Sequence, residues 1–112
     1  MPDEPSPQVT VRDAPEAERY EAVVEGVLAG FAAYRAEGDE VVFVHTDVAD
    51  SLEGHGVGGA LARGALEDVR RRGLKAVPMC PFIAAWIRHH PEYHDLVPEE
   101  ALHLVDRPPA GA

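Results

Sequence analysis

The chain has 112 residues, long enough for one domain with a single core and too short for a two-domain dehydrogenase or kinase. Ten Lys and Arg against twenty Asp and Glu give a net charge of −10, which argues against a nucleic-acid partner and against an anionic membrane surface, and suits a cationic substrate or plain solubility. One cysteine, Cys80, rules out an internal disulfide framework, and no apolar run reaches the length of a bilayer span or resembles a signal peptide, so the expected compartment is the cytoplasm.

Residues 1–8, with three prolines and no periodicity, read as a flexible tail, residues 9–107 as one domain and 108–112 as a second loose tail. Val9-Thr10-Val11-Arg12 alternates like a short strand. Tyr20 to Glu25 and Val27 to Arg35 form a hairpin through Glu25-Gly26. After a turn at residues 36–39 comes a strand from Glu40 to Val48, which completes an antiparallel meander. The period then changes. Val57, Leu61, Ala65 and Val69 share one helical face with Leu66 beside it, while Arg63, Glu67, Asp68 and the run Arg70 to Arg72 lie elsewhere. Gly73 is placed to cap this helix, and the arginines suit the negative end of its dipole. Leu74 to Met79 reads as a buried strand, parallel to the one before the helix. Pro81 opens a second helix with Phe82, Ile83, Trp86 and Ile87 as its apolar stripe, and Pro91 ends or kinks it.

Strand, glycine-rich bend and helix in that order place unpartnered amides at a helix N-terminus, a setting for phosphate. The bend is Glu53-Gly54-His55-Gly56-Val57-Gly58-Gly59. Its Gly54-x-Gly56-x-x-Gly59 spacing matches a dinucleotide fingerprint, yet five residues separate Val48 from Gly54 and the next strand ends without a carboxylate. A Walker loop is excluded because no Gly-Lys-Ser/Thr follows.

The register Val48-x-x-x-x-Glu53-Gly54-x-Gly56-Val57-Gly58, set in a meander followed by strand–helix–strand–helix, resembles the acetyl-CoA loop of the GCN5-related N-acetyltransferases (GNAT). His45-Thr46-x-Val48, the glycine loop and Met79-Cys80 before an aromatic-rich helix are similar to the minimal single-domain branch of YjdJ type, over about residues 20–93. Glu53 departs from the pattern, which has Gln or Arg there, and His55 stands where a basic or amide residue is common.

The resemblance implies an α/β (α+β) GNAT fold with a mixed central sheet and transfer of acetyl from acetyl-CoA to a primary amine. It places the pantetheine arm on the backbone of Asp47, Val48 and Ala49, and the pyrophosphate on the amides of Gly54, His55, Gly56, Val57, Gly58 and Gly59. Cys80, after a strand and at a helix start, is the candidate for an acetyl-cysteine or for a general acid, or else an inert buried thiol. His45, expected on one face with Phe43 and Asp47, is the candidate base, or a structural histidine. Tyr93 is a weaker candidate for protonating the leaving thiolate. His90 and His94 stand four apart, but Pro91 takes His90 out of helical angles and weakens a metal reading; no metal is expected. Trp86 and Phe82 are expected in the core. The acceptor's identity and the choice between monomer and homodimer are left open, as is a non-catalytic acyl-CoA-binding or interaction module.

Overall fold

The computed structural model describes residues 8–49 and 56–105. The expectations for Glu53, Gly54, His55 and both tail ends therefore fall largely outside the described residues. Five strands form one sheet in sequential order: β1 (Val9–Ala14), β2 (Arg19–Val24), β3 (Val27–Glu37), β4 (Glu40–Val48) and β5 (Lys75–Pro78). The first four pair antiparallel, so Val9 to Arg12 opens the meander as its outer strand. β5 runs parallel to β4 across the crossover helix α1 (Val57–Arg71), as a connection of this kind requires. A shorter helix α2 (Pro81–Arg88) follows, then two 3₁₀ segments at Pro91–Leu96 and Glu99–Leu104.

Local chemistry fixes these elements. Glu25 and Gly26 both have positive φ, at 52° and 78°, the backbone of a two-residue hairpin whose twist matches its strands. The turn between β3 and β4 is tighter than the four residues expected, since β3 runs on to Glu37 and leaves Gly38 and Asp39 between the strands. Gly73 at φ 71° ends α1: its N–H reaches the Arg70 carbonyl at 3.0 Å and the Leu74 N–H reaches Val69 at 3.0 Å, a paired closure of the last turn. Pro91 ends the helical run as expected, with His90 at φ −133° before it.

One side of the sheet carries the helices. Val57, Leu61, Ala65, Leu66 and Val69 of α1 are all buried there, against Tyr20, Ala22, Ala32, Tyr34 and Phe43. The three rings Tyr20, Tyr34 and Phe43 pack with centroids 5.2 to 6.4 Å apart. Gly64 is required by close approach, since a Cβ there would lie 2.7 Å from Val11 Cβ.

Asp68 departs from the sequence expectation. It points into this core, accepting the Tyr20 hydroxyl at 2.7 Å and pairing with Arg72 Nε at 3.0 Å and with Arg71. Asp13 does the same for Tyr34, at 2.6 Å, and for Arg72, at 2.9 Å. Burial and then the hydrogen bond to a carboxylate hold the Tyr20 and Tyr34 hydroxyls far above the ordinary tyrosine range. A folded-state value raised above the unfolded one gives stability that is complete below about pH 10 and is lost as pH rises further. The unfolding free energy from urea melts is therefore expected to fall between about pH 10 and about pH 12, by about 1.4 kcal/mol per pH unit for each such tyrosine. Tyr34→Phe should flatten that slope, and an unchanged slope would contradict the linkage.

Candidate functional site

β4 and β5 are in register from Glu40 opposite Lys75 to Phe43 opposite Pro78, and then they part. The Cys80 N–H makes one more bond, to the Phe43 carbonyl at 2.9 Å, before α2 turns away. Beyond that point β4 continues to Val48, paired with β3 on one edge only. Its other edge, from Val44 to Val48, is left without a strand partner among the described residues. An extended ligand with its own amides can add to such an edge. Exposed apolar side chains mark the same parting: Val44, Met79 and Phe82.

The register of β4 is not regular. Ala33 faces His45 but Tyr34 faces Phe43, so Val44 is an extra residue, a β-bulge. The bulge overturns one expectation. Phe43 is buried on the helix side, whereas His45 shares the opposite, open side with Asp47, not with Phe43. His45 is exposed there, its ring 6.0 Å from that of Phe31. Thr46 takes the helix side instead, where its Oγ1 lies 3.2 Å from Cys80 Sγ. Cys80 is buried, 3 % exposed, and caps α2 in an extended conformation without a side-chain cap bond. Thr46 and Cys80 are thus brought together, while His45 stands across the strand from them.

Gly56 begins α1 at φ 81°, and a Cβ there would meet nothing within 4 Å. The Ala60 N–H bonds back to the Gly56 carbonyl at 3.0 Å. The amides of Val57, Gly58 and Gly59 therefore precede the first intrahelical bond and are available to an anion. Gly58 also has a packing role that the sequence did not reveal. A Cβ on Gly58 would fall 2.9 Å from Phe82 Cζ, and one on Gly59 3.6 Å from Trp86 Nε1. Phe82 closes on the first turn of α1 where Gly58 has no side chain, while Trp86 lies at ordinary contact distance from Gly59. Phe82 is 41 % exposed, against the expectation that it lies in the core, whereas Trp86 is half-buried and packs against the core as expected.

Trp86 stacks on His90 with centroids 3.7 Å apart, and Arg63 lies 5.3 Å from the Trp86 ring centre. The ring nitrogens His90 Nδ1 and His94 Nε2 sit 2.7 and 3.0 Å from the carbonyls of Trp86 and Ile87, so each donates to backbone. Among the described residues no group of three His, Cys, Asp or Glu is arranged to hold a metal. Tyr93, 1 % exposed, donates to Glu67 at 2.6 Å and accepts from Arg63 at 3.0 Å. Burial, followed by the bond to Glu67, raises its hydroxyl above the ordinary range. It ties the 3₁₀ segment to α1 and lies outside the Thr46–Cys80 pair. Among the described residues no helix is long and apolar enough to cross a membrane.

A mixed sheet whose one parallel pair parts in mid-strand, followed by a helix entered through glycine, is the frame of an acyl-CoA N-acyltransferase. The family model for GCN5-related N-acetyl-transferases matches residues 19–96, and the chain belongs to that family. Its fold is similar to the solution structure of a GCN5-like candidate N-acetyltransferase from Staphylococcus aureus. The two share 24% identity and a TM-score of 0.62, over 80% of this chain and 87% of the other. No curated protein matches the chain.

Proposed function

We propose that the protein transfers the acetyl group of acetyl-CoA to a primary amine. The observation that carries this reading is the parting of β4 and β5 after Phe43 and Pro78, beside a helix that begins at Gly56, in a chain of this family. The free edge of β4 fits an amide-bearing arm, and the first turn of α1 fits a pyrophosphate without steric obstruction at Gly56.

When bound, acetyl-CoA supplies an activated acyl carbon. Val48 and its neighbours on β4 hold the pantetheine arm through backbone groups, and Gly56, Val57, Gly58 and Gly59 hold the pyrophosphate. Gly54 and His55, which the sequence adds to this set, lie outside the described residues. His45, on the open side of β4, accepts the proton that the ammonium must lose before its nitrogen can attack. The C–N bond would form as the C–S bond breaks, the nitrogen losing its second proton and the departing thiolate gaining one. Cys80, beside Thr46 on the helix side, either gives that proton or carries the acetyl group as a transient thioester.

One feature favours a second reading, an acyl-CoA-binding module without turnover: His45 and Cys80 lie on opposite sides of β4. Both readings require the same ligand. Thermal unfolding with acetyl-CoA, CoA, NAD and ATP in separate samples tests it. At a hundred times its dissociation constant a ligand adds about 2.7 kcal/mol, several degrees for a domain of this size. Acetyl-CoA and CoA are expected to raise Tm while NAD and ATP leave it in place. A rise with NAD alone would restore the dinucleotide reading and defeat both.

A further inference from the structure

The cleft between β4 and β5 has a closed end. The two strands part after Phe43 and Pro78, and the bond from the Cys80 N–H to the Phe43 carbonyl, at 2.9 Å, shuts the gap there. α1 begins beyond the other end, where β4 runs out at Val48. An arm laid along the free edge, with its pyrophosphate at Gly56 to Gly59, therefore points its sulfur toward the closed end. Two polar side chains meet on the helix side of that end, Thr46 and Cys80. Thr46 is kept on that side by its pairing with Ala32, which is fully buried.

The two residues differ in their access to the cleft. Cys80 is 3 % exposed, whereas Thr46 is half-buried on the strand whose edge is open. Among the described residues, the side chain that hydrogen-bonds the Cys80 sulfur is Thr46, with Oγ1 at 3.2 Å. A hydroxyl has one proton to give and two lone pairs to receive. When Oγ1 accepts the Cys80 S–H, its own O–H is free to turn into the cleft. We infer that Thr46 passes a proton from Cys80 to the departing CoA sulfur, an assignment that rests on the acetyltransferase reading. As the C–S bond breaks, the CoA thiolate takes the Thr46 hydroxyl proton and Oγ1 takes the Cys80 thiol proton. CoA leaves as the thiol, Thr46 is unchanged and Cys80 is left as the thiolate. The amine nitrogen releases two protons in forming its C–N bond; one returns through water to Cys80 and the other stays in solution. The hydroxyl never has to hold a charge, and a buried thiol serves the reaction without touching the ligand.

The test uses the whole chain and two variants. Thr46→Val removes the hydroxyl and keeps a branched side chain suited to a strand, while Thr46→Ser keeps the hydroxyl. Binding is read first, as the Kd of CoA against that of desulfo-CoA by titration calorimetry. Wild type and Thr46→Ser are expected to favour CoA by about threefold or more, and Thr46→Val to lose most of that preference. With acetyl-CoA and n-butylamine, Thr46→Val should lower kcat by about tenfold or more and Thr46→Ser should recover most of the rate. Thr46→Val combined with Cys80→Ala should be no slower than the slower single variant, because both changes cut one path. Equal Kd for CoA and desulfo-CoA in wild type, an unchanged kcat in Thr46→Val, or losses that multiply in the double variant would overturn the relay and leave the transferase. A preference for CoA that vanishes in Thr46→Val, with no acetylated product from wild type, would keep Thr46 at the sulfur and overturn the transferase reading.

Discussion

Asp68→Ala is expected to lower stability by about 3 kcal/mol, and Tm by roughly 10 °C or more. Asp68 is 7 % exposed, at the end of α1 that faces Tyr20 of β2 and Asp13 of β1. It accepts the Tyr20 hydroxyl at 2.7 Å and holds Arg72 at 3.0 Å, with Arg71 as a third partner. Alanine would leave a hydroxyl that is buried with its ring and has no acceptor. It would also free Arg72, which clamps Asp13 of β1 to the end of α1. The loss is larger than for an exposed pair because Tyr20 is 2 % exposed and Asp68 7 %, so both partners are desolvated in the folded state. Asp68→Asn keeps a carbonyl for Tyr20 and should recover about half of the loss. A Tm change of less than about 3 °C in Asp68→Ala, by differential scanning calorimetry, would mean that the network contributes nothing beyond packing.

This residue also shows what a sequence pattern can and cannot convey. The helix was legible because Val57, Leu61, Ala65 and Val69 recur at helical spacing and Gly73 ends them with a positive φ. The meander was legible because its turns are built from Glu25-Gly26 and Gly38, where left-handed backbone is needed. Asp68 was placed off the core because a carboxylate on a helix reads as solvated until its partners are known, and Tyr20 lies 48 residues away. The bulge at Val44 was hidden for a related reason. Strand alternation is written in one chain segment, but a bulge is a property of the pairing between two. One extra residue moved His45 to the open side and put Thr46 against Cys80. Phe82 and Trp86 share a stripe with Ile83 and Ile87 and so read as core, yet only the inner side of the stripe, Ile83 and Ile87, is fully buried. Its outer edge lies on Gly58 and Gly59 instead.

The largest functional effects are expected at His45 on β4 and at Cys80 beside it. His45→Gln should lower kcat for acetyl transfer by about a hundredfold or more, the usual contribution of a positioned proton acceptor. Its exposed position means that Tm and the stabilisation by CoA should be unchanged. Cys80 needs a pair of variants, because its sulfur is buried beside Thr46 and either role requires the same place. Cys80→Ser preserves a hydrogen-bonding atom for Thr46 and can still donate a proton. If Cys80 is an acid, serine should retain part of the rate that alanine loses. If Cys80 carries the acetyl group, serine should be as poor as alanine in turnover. In that case the wild-type protein, given acetyl-CoA without an amine, should gain the mass of one acetyl group at Cys80. Ping-pong kinetics would accompany that adduct, whereas direct transfer requires both substrates together. The opposite placement of His45 and Cys80 makes the two outcomes structurally distinct. Direct transfer needs the amine to cross only the edge of β4 from the open side. A thioester on Cys80 would oblige it to reach a buried residue on the far side. Burial of Cys80 therefore favours direct transfer, and serine is expected to outperform alanine. If neither residue affects turnover, the proton-transfer roles assigned to them fail; if CoA binds but no amine is acetylated, the chain is a binding module.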